Sequence, residues 1–115
     1  MSTRWIVVPL DQQAMRDLDV DKAKPEQMRE WLLQEDEFSV LWSSGILQQV
    51  NDVADVNIDG FEDERLVGTD QVRLMTNVLI QRLAEAEGQL RSMLVKLIEL
   101  CELAALCGTG IFFFF

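Results

Sequence analysis

The strongest constraint on this chain is its last five residues, Ile111-Phe112-Phe113-Phe114-Phe115. Such a β-branched and aromatic run reads as a strand, and with an open edge it would template aggregation. Only one other stretch has comparable strand character, Trp5-Ile6-Val7-Val8 at the opposite end. The economical solution pairs the two terminal strands antiparallel and covers them with helices. Pro9 has no N–H to give a ladder, so the first strand ends there or lies at an edge. Everything between reads mostly as helix. The prediction is an α+β fold, predominantly helical, with about four helices packed on a small antiparallel sheet made from the N- and C-terminal strands. At 115 residues and 49% hydrophobic content, the chain suits one domain, residues 1–115, and is too short for two.

Periodicity places the helices. Pro25 is favourable at a first helical position, and Met28, Trp31 and Leu32 follow at i, i+3, i+4 spacing, which predicts a helix from 25 fading near Glu35. A second helix opens at Ser44 or Gly45 with Ile46, Val50 and Val53 inward and Asp52 and Asp55 on the opposite side. The pattern breaks at Ile58-Asp59-Gly60, and a polar loop runs to Gly68, with Thr69 as N-cap of a third helix. In that helix Val72, Met75, Leu79 and Leu83 form an apolar seam, with Arg73, Asn77 and Gln81 facing away. From Gln89 to Cys107 only Lys96, Glu99 and Glu102 make a narrow polar stripe, which marks the central, largely buried helix. A single helix over 69–107 would be about 58 Å long, too long for a domain of this size. A break near Gly88 follows, although Glu87 and Arg91 are well spaced to pair across it. Residues 11–24 and 35–43 show no clear period.

Charge and absent residues bound the function. Twenty Asp and Glu against ten Lys and Arg give a net charge of -10, which repels phosphate backbones and anionic membranes and attracts cationic partners. Direct nucleic-acid binding is therefore not expected. The chain has no His, so Ser-His and Cys-His pairs and His metal ligands are excluded. No apolar pocket is recognisable around one member of a carboxylate pair, and Gly108-Thr109-Gly110 lacks the context of a phosphate loop and reads as a helix stop. Cys101 and Cys107 lie about 120° apart on a helix, poor geometry for a disulfide or a shared metal, and read as free core thiols. No catalytic residue, cofactor or metal is predicted. Lys96, Glu99 and Glu102 interrupt the apolar C-terminal stretch before it approaches the about 18–20 residues of a membrane span. The run Trp5 to Leu10 is too short for a signal-peptide core, so a cytoplasmic location follows.

Between residues 52 and 65 the acids concentrate: Asp52, Asp55, Asp59, Glu62, Asp63 and Glu64, beside Arg65. Asp55 to Gly60 fits the first half of a calcium-binding EF-hand loop, but position eight is Glu62 and position twelve is Leu66 where a bidentate Glu is needed. An acidic loop closed by a glycine turn is the simpler reading, and a calcium module at 55–66 the lesser alternative. Charge alone gives no specificity, and interfaces need aromatic anchors. The candidates are Phe61 in the loop and Trp42 before the second helix, although large apolar residues beside helix ends usually pack inward. The predicted partner-binding set is Asp52, Asp55, Asp59, Phe61, Glu62, Asp63, Glu64 and Trp42.

The order Gly45-Ile46, Asn51, Ile58-Asp59-Gly60-Phe61-Glu62-Asp63-Glu64, a helical stretch, then Gly108-Thr109-Gly110-Ile111 and a Phe-rich tail resembles small acidic immunity proteins of bacterial polymorphic toxin systems. The likeness covers residues 45–115. In that family the middle segment reads nearer I-D-D-[YF]-E-x-E, and here Gly60 replaces the second acid. The resemblance implies a cytoplasmic antidote that binds a basic, nuclease-like toxin domain and occludes its active site without cofactor or turnover. A self-associating assembly protein, a homodimer built through the apolar helix from Met93 to Cys107, is the alternative.

Overall fold

The computed structural model describes residues 3–115. The chain runs β1 (Arg4–Pro9), α1 (Gln12–Asp19), a 3₁₀ turn (Pro25–Gln27), β2 (Met28–Leu33), α2 (Glu35–Ser43), α3 (Ile46–Ala54), β3 (Glu64–Val67), α4 (Thr69–Leu83), α5 (Gly88–Cys107) and β4 (Gly110–Phe114). The fold is α+β. The two end strands do pair antiparallel, with Trp5 opposite Phe114, Ile6 opposite Phe113 and Val7 opposite Phe112. They form the centre of a four-stranded antiparallel sheet of order β2-β1-β4-β3. The Phe run thus has neighbours on both sides, and β1 ends at Pro9 as the missing N–H requires.

Two strands fall where the sequence predicts none. Met28–Leu33, predicted as helix, is strand β2, with Ile6 opposite Trp31 and Arg4 opposite Leu33. Trp31 and Leu33 are buried while Leu32 is 37% exposed, the alternation of a half-buried strand. The helical reading rests on Met28, Trp31 and Leu32, whereas the buried pair is Trp31 and Leu33 at i, i+2, and packing against the buried Ile6 decides between the two periods. Pro25 starts only one 3₁₀ turn, closed by Gln27 Oε1 accepting from Lys24 N–H at 2.8 Å. Glu64–Val67, predicted as part of a polar loop, is edge strand β3, which buries Leu66 alone. Gly110 lets β4 approach it: a Cβ there would lie 2.5 Å from Leu66 O.

Among the described residues there are five α-helices where about four were predicted. α1 is started by Asp11, whose carboxylate accepts from Ala14 N–H at 2.7 Å, and α2 by Glu37, which reaches back to Gln34 N–H at 2.9 Å. In α3 the inward stripe is Ile46, Leu47, Val50 and Ala54, whereas Val53, predicted inward, is 46% exposed. The N-cap of α4 is Gly68 and not Thr69, which is its first residue. Val72, Met75 and Leu79 are buried and Leu83 packs on the core, as the seam predicts. α4 ends at Leu83 and α5 begins at Gly88, so the break falls where length demands it. Gly108 closes α5 in the left-handed region at φ 66.

One cluster of buried apolar side chains draws on every strand and on α2 to α5, with Leu94, Leu97 and Cys101 of α5 at 0% exposure. Lys96, Glu99 and Glu102 face out as predicted, and so do Val95 and, at 85% exposure, Leu106. Val7 and Phe112 are buried on the opposite face of the sheet, where α1 lies. Among the described residues no helix is long and apolar enough to cross a membrane.

Candidate partner-binding surface

α3 ends at Ala54 because Asp55 turns into the left-handed region, φ 54, and the chain then needs a new anchor. Asn51, one turn back, supplies it. Its carboxamide donates to Ile58 O at 2.9 Å and accepts from Ile58 N–H at 2.7 Å, as a neighbouring strand would. Ile58 is fully buried beneath this pair. The loop beyond is closed by its own side chains. Asp59 Oδ1 accepts from the N–H groups of Phe61 at 2.8 Å and Glu62 at 3.2 Å, an Asx turn. Asn57 Nδ2 donates to Glu62 Oε1 at 2.7 Å, and Glu64 accepts from the backbone N–H of Asn57 at 2.8 Å.

The consequence is a fixed loop whose tip, Phe61, is 94% exposed. Leaving such a ring in water forgoes about 1.5–3 kcal/mol of burial. The loop is also held from below. Gly60 packs so closely that a Cβ would sit 3.4 Å from both Phe38 Cζ and Arg4 Nη2. Arg4 lies with its guanidinium carbon 3.9 Å from the Phe38 ring centroid and donates from Nη1 to both carboxylate oxygens of Glu35, at 3.1 and 2.9 Å. Phe38 stacks on Trp42 at 6.0 Å and meets the edge of Phe115 at 5.5 Å. Trp42 is 36% exposed. Neither predicted anchor packs into the core, and Phe38 with Gly60 joins the helix that carries one to the loop that carries the other.

The six acids divide into two groups. Asp59, Glu62 and Glu64 bond to the loop's own N–H groups and Asn57, so they build the surface more than they present it. Asp52, Asp55 and Asp63 are exposed and have no hydrogen-bond or ion-pair partner among the described residues. Asn51 enters the sequence reading only within a resemblance, Glu35 only as the end of a predicted helix, and Arg4 and Phe38 are not among the predicted site residues. The acids Glu35, Asp36 and Glu37 in the first turn of α2 extend the negative surface to the base of the loop. The Gln34 to Glu37 spacing is the local signal that marks that helix start.

Asp55 stands at the end of α3 and Asp59 accepts from backbone N–H groups, while Leu66, at position twelve of the 55–66 segment, is fully buried in the core. Among the described residues no group of three or more His, Cys, Asp or Glu is placed to hold a metal. Two perturbed groups lie outside the loop. Burial pushes the Cys101 thiol up to about 12, and hydrogen bonds from Gln27 and Gln13 lower Asp17. A groove of about 620 Å³ runs between β2 and α5, lined by Trp31, Leu100, Leu103 and Leu106. Its rim mixes Arg29 and Lys96 with Glu30, Glu99 and Glu102. No family model, curated protein or solved structure matches this chain.

Proposed function

We propose that this chain is a non-enzymatic binding protein, an immunity-type antidote that neutralises a basic, nuclease-like toxin by covering its active site with the acidic surface around residues 52–64. The observation that carries this reading is Phe61, 94% exposed at the tip of a hydrogen-bonded loop, on a segment that also carries the exposed carboxylates Asp52, Asp55 and Asp63, which have no partner among the described residues. A rigid aromatic anchor amid one sign of charge suits a cationic groove: the charge steers the encounter and the ring supplies the desolvated contact. A groove that binds phosphates is cationic for the same reason that an acidic protein can occupy it. The reaction needs no cofactor, and the place of action is the cytoplasm.

The test is capture of a basic protein from host lysate at low and moderate salt, followed by inhibition of that protein's activity. Phe61→Ala and Asp52→Lys are run in parallel, because both side chains are exposed and neither holds the loop together. The wild-type chain captures and inhibits one basic protein. Phe61→Ala weakens binding about 30-fold, the effect of about 2 kcal/mol at a hot spot. Capture of nothing, or equal retention by both variants, rejects the reading.

A second reading has one observation in its favour: Leu106 is 85% exposed beside the apolar groove of α5 and β2. It is a self-associating protein using that face. Light scattering of the wild type and Leu106→Glu decides, since a dimer that the substitution dissolves supports it and a monomer in both removes it.

A further inference from the structure

The sheet has a second face, on which the eight-residue helix α1 lies. Val7 and Phe112 beneath it are 3% exposed, but Trp5 and Phe114 are only partly buried. Beside α1 this leaves a cleft of about 470 Å³, floored by Phe112 and Phe114 and walled by Asp19, Asp21, Asp63 and Arg65. We infer that this cleft is a binding site for a cationic side chain, an arginine presented by a basic partner protein. The inference rests on the reading of the chain as a binder of a basic partner and names the chemistry of a second contact.

The cleft already shows how it takes a guanidinium. Arg65, opposite Phe112 in the ladder, holds its guanidinium carbon 5.3 Å from the Phe112 ring centroid and its Nη1 2.8 Å from Asp19 Oδ1. Ring and carboxylate share one cation. One ladder step along, the Phe114 ring lies 6.2 Å from that of Phe112 and 20° from parallel to it. Glu64 pairs with Phe113, so Asp63, the residue before it, comes level with Phe114. Asp21 lines the cleft as well. This second step repeats the ring and the carboxylates, but among the described residues Arg65 is the cleft's only cationic lining residue and it is engaged one step away.

Charge decides the occupant. Asp19 is paired with Arg65, and Glu64 is turned to the N–H groups of Asn57 and Arg65, which leaves Asp21 and Asp63 without partners among the described residues. Two carboxylates beside an aromatic face suit a guanidinium, which is planar, weakly hydrated and able to stack and ion-pair together. An ammonium keeps its water more tightly and stacks less well. A second copy of a chain with net charge -10 meets overall repulsion here. Asp63 also belongs to the loop that carries Phe61, so one loop contributes to both the cleft and the exposed tip.

The experiment titrates the intact protein with a tri-arginine and a matched tri-lysine peptide. It follows the ring resonances of Phe112 and Phe114 by NMR, in the wild type, in the pair Asp21→Asn with Asp63→Asn, in Phe114→Leu, and in a control pair Glu85→Gln with Glu87→Gln. The tri-arginine peptide shifts both rings and binds tighter than tri-lysine. The cleft pair weakens it about fivefold or more, and the control pair less than twofold. If Phe114→Leu does not fold, the Asn pair alone decides. Equal losses in cleft and control variants overturn the inference, as does equal affinity for lysine and arginine. A dimer that the cleft pair dissolves also overturns it, by giving the site to a second copy. Phe61→Ala separates this inference from the function above. Peptide binding that needs the cleft, with no protein captured, keeps the cleft and removes the antidote. Capture that needs Phe61 but not Asp21 or Asp63 does the reverse.

Discussion

Replacing Asn51 by Ala removes both hydrogen bonds that tie the loop to α3. The partners are the backbone N–H and C=O of Ile58, a residue with 0% exposure, so water cannot readily replace the lost amide. A hydrogen bond lost to solvent costs about 0.5–1.5 kcal/mol, but a buried group left unpaired costs about 1–3 kcal/mol. Two such groups put the expected loss at about 2–6 kcal/mol, a large share of the about 5–15 kcal/mol that holds a domain together. Asn51→Asp keeps the acceptor for Ile58 N–H and sets a carboxylate against Ile58 O, so it recovers at most half. Urea unfolding followed by circular dichroism measures the loss, and amide exchange locates it. Exchange should quicken at Ile58, Phe61 and Glu62 first. A loss below 1 kcal/mol, or faster exchange spread evenly over all helices, would refute the claim that one side chain positions this loop.

Two further outcomes follow from buried groups elsewhere. The Cys101 thiol rises from 9.0 to about 12 on burial, so above pH 9 the unfolded chain loses a proton that the folded chain keeps. Stability from this residue is level below pH 9 and falls by about 1.4 kcal/mol per unit from there toward 12; urea midpoints in Cys101→Ala should lack that slope, and an identical slope would reject it. Arg4 is 9% exposed with Nε unpartnered, while the side chain of Glu35 is 67% exposed. Glu35→Ala strands the guanidinium and, discounted for solvent at the carboxylate, costs about 1–2 kcal/mol, whereas Arg4→Met removes the charge and costs less; thermal melts in the opposite order would refute this.

The sequence announces the fold where an element is long or chemically extreme. The Phe run and its partner β1 are legible from composition alone, and the seam of α4 and the stripe of α5 from their period. β2 is hidden because Met28, Trp31 and Leu32 fit a helix as well as Trp31 and Leu33 fit a strand, and only the partner Ile6 decides. β3 is hidden because a four-residue strand with one buried side chain, Leu66, has no period to read. α1 and α2 are short, and their starts rest on Asp11 and Glu37, side chains that also serve in turns. At the candidate site the density of acids is visible, but which of them are available is not. That division depends on contacts such as Arg4 to Glu35, 31 residues apart, and Asn51 to Ile58, 7 apart. The exposure of Phe61 follows from those same contacts.

The sheet order explains why the candidate surface sits where it does. With β1 and β4 inside, the most aggregation-prone segments of the chain have neighbours on both sides. The outer positions fall to β2 and β3, whose charged residues Arg29, Glu30, Glu64 and Arg65 discourage pairing with another chain. β3 is only four residues long, so it cannot by ladder alone fix the thirteen residues from Asp55 to Val67 that include it. Side chains take over that work: Asn51 at one end, Asp59 in the middle, Glu64 at the other. Hydrogen bonds of this kind hold a backbone without covering it, whereas burial would have hidden Phe61. A binding loop on a small protein needs both order and exposure, and an edge strand entered through a polar clamp supplies the two together.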